Sequence, residues 1–195
     1  MTGSGRATPG SPARVEPGDA LRAADGGTGG LHGRGGGGVK TYDEEFYKER
    51  VNTFPFVRMM GMRLRSAADG RSVMECRVRP ILKNSAGTLH GGVMGALVDM
   101  SVATALRSVM PLSSRMTTVE YKVNFLKPVG TGTITAHGAI LRLGRTIAVG
   151  STEVRNADGD VVAFGSATYY ILNVRAEARE AGIIKPEKVR GRKGR

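Results

Sequence analysis

The segment that most constrains this chain is Gly91–Leu106, GGVMGALVDMSVATAL, in which Asp99 is the only ionisable side chain. Its composition predicts a helix opened by His90-Gly91-Gly92 and running to about Met110, where Pro111 stops it. A helix lying on solvent carries a charged face, so one without such a face reads as buried. A carboxylate in that setting is costly, since even a neutral polar group buried without a partner costs roughly 2–7 kcal/mol. Asp99 therefore either has hydrogen-bond donors elsewhere in the chain or serves as an acid or base.

The flanking sequence supplies the cover. A leading helix is expected from near Thr41, where TYDEEFYKERVNTF crowds acids into its first turn and sets Tyr42, Phe46, Val51 and Phe54 at roughly helical spacing. Met62–Ala67 and Ser72–Val78 alternate as two strands around the turn AADGR. Beyond the apolar helix, four more strands are expected at Met116–Leu126, Thr131–Leu143, Arg145–Asn156 and Val161–Leu172, with turns at LGR and at Asp158-Gly159. A single antiparallel sheet wrapped around a long central helix, an α+β fold, satisfies this order, and its last four strands can form a meander. The sheet covers one side of the helix. In so small a domain the other side falls to a second copy of the chain.

The bulk charge of +12 is concentrated at the ends: +2 in residues 1–40 and +5 in residues 185–195, leaving a mildly basic middle. Residues 1–40, rich in Gly, Ala and Pro, read as a flexible leader, because such composition buries too little apolar surface to offset ordering entropy. Residues 41–176 form the expected domain and 177–195 a basic tail. The leader's own Leu31-His32-Gly33 is followed by no apolar helix and is a decoy; its glycine run lacks the GK[ST] of a phosphate loop. The leader has no apolar core of a secretory signal and little amphipathic pattern of a transit peptide, and no run approaches a membrane span. One cysteine, Cys76, in the alternating stretch SVMECRV, forbids an internal disulfide and suits a buried thiol in a reducing, cytoplasmic setting. His32, His90 and His137 have no metal-ligand spacing, so neither a metal nor a cofactor is expected.

Two separated segments carry a family resemblance: Asn84-Ser-Ala-Gly-Thr-Leu-His-Gly-Gly92 with Asp99 in the helix behind it, and downstream TTVEYKVNFLKPV with the LGRT turn. With Phe54-Pro55-Phe56 ahead of them, they make residues 54–172 resemble the hotdog-fold acyl-CoA thioesterases of the phenylacetate-degradation type. The resemblance implies hydrolysis of an acyl-CoA thioester by a homodimer or homotetramer with sites between subunits. It places the base or nucleophile on Asp99, the carbonyl-polarising amide on Gly91, the loop asparagine on Asn84, the motif histidine on His90 and a strand hydroxyl on Thr118.

Elementary chemistry arrives at the same residues. A helix N-terminus offers unpaired N–H groups and about half a positive charge, and glycine lets a ligand approach them, so Gly91 and Gly92 suit a polarised carbonyl. Asp99 either attacks that carbonyl itself, giving an anhydride, or activates water; the sequence does not choose. His90 is as readily a capping residue as a catalyst, and Asn84 alone would be a turn residue. Arg145, Lys127 and Arg115 are the cations expected to meet the phosphates of CoA.

Spacing adds a further expectation. Asp99 lies eight residues beyond Gly91, about 12 Å along a helix axis, too far for both to serve one carbon. A second, antiparallel helix related by a dyad would supply the missing partner, so the sites are expected to be shared and a lone subunit inactive. A non-catalytic acyl-CoA sensor is the main competing expectation. Nonspecific nucleic-acid contact by the basic tail is the third, weakened by the absence of stacking aromatics there.

Overall fold

The computed structural model describes residues 42–172. The leader at 1–40 and the tail at 177–195 lie outside the described residues. Asp43 caps α1 (Glu44–Thr53), its carboxylate accepting the Phe46 N–H at 3.0 Å. The inward face of α1 is Tyr47 with Val51, four residues apart, so Phe46 and Phe54 turn outward, against expectation; Phe46 is 62% exposed. A short α2 (Pro55–Met60), not foreseen, has proline in its first turn and ends at Gly61, where φ is 65°.

Strands β1 (Met62–Ala68) and β2 (Arg71–Arg77) are joined by Asp69-Gly70, both at positive φ, the two-residue turn that matches the twist of a hairpin. A single 3-10 turn over Pro80–Leu82 follows. Helix α3 runs over Gly91–Arg107, three residues shorter than expected, because the chain leaves the helix at Ser108 before it reaches Pro111. The remaining strands are β3 (Arg115–Phe125), β4 (Thr133–Leu143), β5 (Ile147–Arg155) and β6 (Val161–Leu172).

All six strands form one antiparallel sheet in the order β1-β2-β4-β5-β6-β3. The expected four-strand meander is corrected: β4, β5 and β6 are consecutive neighbours, but β3 crosses to the far edge and pairs with β6, leaving β4 to pair with β2. This arrangement closes the sheet around α3. Leu97, Val98, Val102, Ala105 and Leu106 of the helix are fully buried against the inner face. The helix lies close because the sheet has glycine beneath it: a Cβ on Gly138 would sit 2.6 Å from the Ser101 carbonyl oxygen, and one on Gly165 2.6 Å from a Val98 methyl. Buried hydroxyls pin the contact, with Ser72 Oγ donating to Ser101 O and Ser101 Oγ bonded to Thr152 Oγ1, both at 2.6 Å. Cys76 is buried in the core, as expected.

The two edges of the sheet differ. At β1, α1 covers the edge, and Asn52 bonds both backbone groups of Leu64 while Glu44 accepts the Ala67 N–H. At β3 nothing among the described residues covers the edge, and Val119, Tyr121 and Phe125 are 59%, 51% and 56% exposed. Helix α3 is likewise incompletely covered: Gly92 is exposed and Ala96, Asp99, Met100 and Ala103 are half-buried. The sequence expectation of a helix with one side left to another surface describes this stripe. Among the described residues no helix is long and apolar enough to cross a membrane.

Candidate active site

The loop ahead of α3 is built by Asn84. Its Oδ1 accepts the backbone N–H groups of Ala86 and Thr88, and its Nδ2 donates to Thr88 Oγ1 at 3.0 Å, an Asx-type turn that fixes the loop locally. Hydrogen bonds from Leu89 N–H to Val129 O and from His90 N–H to Leu82 O tie the loop to its neighbours. His90 is the N-cap: its exposed ring accepts the Gly92 N–H on Nδ1 at 2.9 Å, so a neutral ring carries its proton on Nε2. The backbone oxygen of His90 takes the Val93 N–H. Capping thus uses the amides of Gly92 and Val93. The Gly91 N–H makes no hydrogen bond among the described residues and remains as the free donor at the positive end of the helix.

Gly91 lines a cavity of about 380 Å³. Asn84, Thr88, Leu89 and Met94 form one wall, and Phe125, Leu126, Lys127 and Pro128 at the end of β3 form the other. The ring of Phe125 lies over Gly91 so closely that a Cβ there would be 3.1 Å from it. Lys127 stands at this mouth, ion-paired to Asp160 at 3.1 Å, and that ammonium holds the Asp160 carboxyl below the usual carboxylate range.

Asp99 is outside that cavity. It is half-buried rather than sunk, and the donors its position demanded are present. Thr118 Oγ1 donates to Asp99 Oδ1 at 3.0 Å, and the phenol of Tyr169 reaches the same oxygen at 2.5 Å and the Asp99 backbone oxygen at 2.8 Å. Burial, with the adjacent carboxylate, pushes the Tyr169 phenol well above its ordinary value, so it stays protonated and donates. Sequence reasoning did not identify Tyr169. Its one signal is alternation along β6, which turns Tyr169 inward and the half-exposed Tyr170 outward.

The structure therefore sorts the expected residues into two groups. Asn84, Gly91 and Lys127 share the cavity; Asp99 and Thr118 are together further along α3. His90 and Gly92 border the first group, the His90 ring accepting the Gly92 N–H. Along the helix, β3 runs beside Asp99, then Gly95, then Gly91, presenting Thr118, Tyr121 and the cavity-lining Phe125 in turn, so the ring of Tyr121 comes between the carboxylate and the cavity wall. Arg115 and Arg145 are exposed and lie at the opposite end of the subunit from Lys127, where Arg115 pairs with Leu172 and Thr146 O accepts the Ile171 N–H. No group of three or more His, Cys, Asp or Glu side chains is arranged to hold a metal among the described residues.

A long helix wrapped by one antiparallel sheet, with a free amide at its glycine start and a lone carboxylate along it, defines the hotdog class. The family model of the thioesterase superfamily matches residues 86–163. Acyl-coenzyme A thioesterase 13 of Homo sapiens is 31% identical over 134 residues, covering 66% of this chain and 94% of the relative. The medium/long-chain acyl-CoA thioesterase YigI of Escherichia coli is 27% identical over 136 residues, covering 62% and 88%. Among solved structures, the phenylacetic acid degradation protein PaaI of Thermus thermophilus superimposes with a TM-score of 0.55 at 27% identity, covering 60% of this chain and 98% of that one. The chain belongs to the thioesterase superfamily and is a thioester hydrolase of hotdog fold.

Proposed function

We propose that the protein hydrolyses the thioester of an acyl- or aryl-acyl-CoA to the free acid and CoA, at sites shared between two subunits. The observation that carries this reading is the free Gly91 N–H in the lining of a cavity that does not include Asp99. Asp99 is eight positions along the helix from Gly91, about 12 Å along the axis, whereas one reacting carbon must lie near both. An antiparallel copy of α3 brings one subunit's Asp99 toward the other's Gly91. The uncovered edge of β3, where Val119, Tyr121 and Phe125 are exposed, is the surface through which such a copy would join, as a homodimer or the building block of a homotetramer.

In that site the Gly91 amide polarises the thioester carbonyl and stabilises the oxyanion that forms. Asp99 either adds to the carbonyl carbon, expelling the CoA thiolate and leaving an anhydride that water opens, or takes a proton from the water that adds. Asn84 keeps the glycine loop in shape, and Thr118 orients Asp99. His90 acts through its cap, which commits the Gly92 amide and leaves that of Gly91 to the substrate. Lys127 meets CoA phosphates at the cavity; Arg115 and Arg145 do so from a neighbouring subunit. The human and Escherichia coli relatives are named for acyl-CoA hydrolysis and the Thermus protein for phenylacetic acid degradation, which supports the substrate class and leaves aryl-acetyl, medium-chain and longer acyl groups as candidates. A cytoplasmic, reducing setting fits the one buried cysteine.

The test is thiol release, followed with DTNB, from a panel of acyl-CoAs. The wild type should turn over at least one member. Asp99→Asn, shown by mass to be free of deamidation, should lose about a thousandfold or more in kcat with assembly intact. Tight binding of an acyl-CoA with no turnover by the wild type would favour a sensor instead.

A further inference from the structure

We propose that Tyr169 is a positioning residue for this reaction: it fixes the rotamer of Asp99 by donating to Oδ1, so that Oδ2 is the oxygen presented to the thioester carbonyl or to its attacking water. The inference rests on the role given to Asp99 above. Both donors that reach the carboxylate, Tyr169 at 2.5 Å and Thr118 at 3.0 Å, converge on Oδ1, and Oδ2 accepts no hydrogen bond among the described residues. A carboxylate on a single χ1–χ2 lever swings freely unless one oxygen is held, and misplacement by an ångström is enough to suppress a reaction that needs near-contact geometry.

Tyr169 is suited to hold it. The residue is 2% exposed, and its ring is fixed in the cluster formed by Val102, Leu106, Ala167 and Ile171. Its phenol also lies 2.8 Å from the backbone oxygen of Asp99 itself, so the same hydroxyl registers the side chain against the helix that carries it. Thr118 comes from exposed edge strand β3, whereas Tyr169 comes from the interior of β6, flanked by β5 and β3. The rigid strand thus sets the carboxylate and the edge strand supplements it. Oδ1 is committed to the two hydroxyls; Oδ2 faces the substrate.

Three steady-state measurements test this: wild type, Asp99→Asn and Tyr169→Phe, each on an acyl-CoA that the wild type hydrolyses, with melting temperature and sedimentation recorded. Tyr169→Phe should lower kcat about tenfold with KM changed less than twofold, because the cavity that binds the substrate is untouched. Folding and assembly should match the wild type. Should Tyr169→Phe fold poorly, 4-fluorophenylalanine at position 169 fills the same space without donating, and the same fall in kcat is expected. A merely structural role would lower the melting temperature and the active fraction together, leaving kcat per active site unchanged. Unchanged kcat in a folded variant, with Asp99→Asn inactive, overturns the role of Tyr169 alone. An active Asp99→Asn, or a wild type without hydrolytic activity, overturns it together with the reading on which it rests.

Discussion

The two edges of the sheet are treated in opposite ways. At β1 the backbone is sealed by α1, with Asn52 and Glu44 bonded to Leu64 and Ala67. At β3 a strand of eleven residues keeps one side unpaired and shows apolar side chains to solvent. Proteins blunt exposed edges because they recruit other strands. The open edge lies beside Asp99, the one carboxylate of α3, and it is the edge through which the proposed second copy would join to complete the catalytic groups.

The largest expected effect on this contrast comes from Val119→Lys, which places a charge on the open edge. Assembly should weaken, and specific activity should fall about tenfold at low protein concentration and recover as concentration rises, read by sedimentation alongside thiol release. Equal activity in a monomeric variant would break the link between edge and function. Asn52→Ala at the sealed edge should behave conversely, losing about 1–2 kcal/mol in denaturant unfolding through its lost backbone bonds while activity per folded molecule is retained. The smallest effect lies between the edges. His137 on β4 has its pKa depressed below 6.5 by burial and then by Arg155, against a weaker opposing pull from Glu153. An unfolded histidine then binds protons that the folded one does not, so its contribution to stability is lost as pH falls through and below about 6.5. His137→Gln should flatten that part of the stability–pH curve without altering activity at neutral pH.

What the sequence made legible follows the range of the interactions involved. The helix at Gly91, its cap, the Asn84 turn and the Asp69-Gly70 hairpin are decided by residues within four positions of each other, and each is where the pattern placed it. The need for donors at Asp99 was also legible from its apolar neighbours. Of the two donors only Thr118 was named, through the family resemblance, and as a strand hydroxyl of the site rather than as a partner of Asp99. Tyr169 is 70 residues away and reaches Asp99 because β3 leaves the expected meander and pairs with β6, a choice of neighbour that strand alternation does not encode. The same limit explains α1, where apolar spacing named Phe46 and Phe54 but packing against β1 selected Tyr47 and Val51.

The shared site is tested most directly by complementation. Asp99→Asn and Gly91→Val, the latter driving a side chain into Phe125, should each be inactive alone. Coexpressed at equal levels as statistically mixed dimers, they should recover about a quarter of wild-type activity, because each heterodimer regains one site with both groups intact. If every site were built within one subunit, heterodimers of these two variants would contain no intact site, and a mixture no more active than its parents would contradict the account.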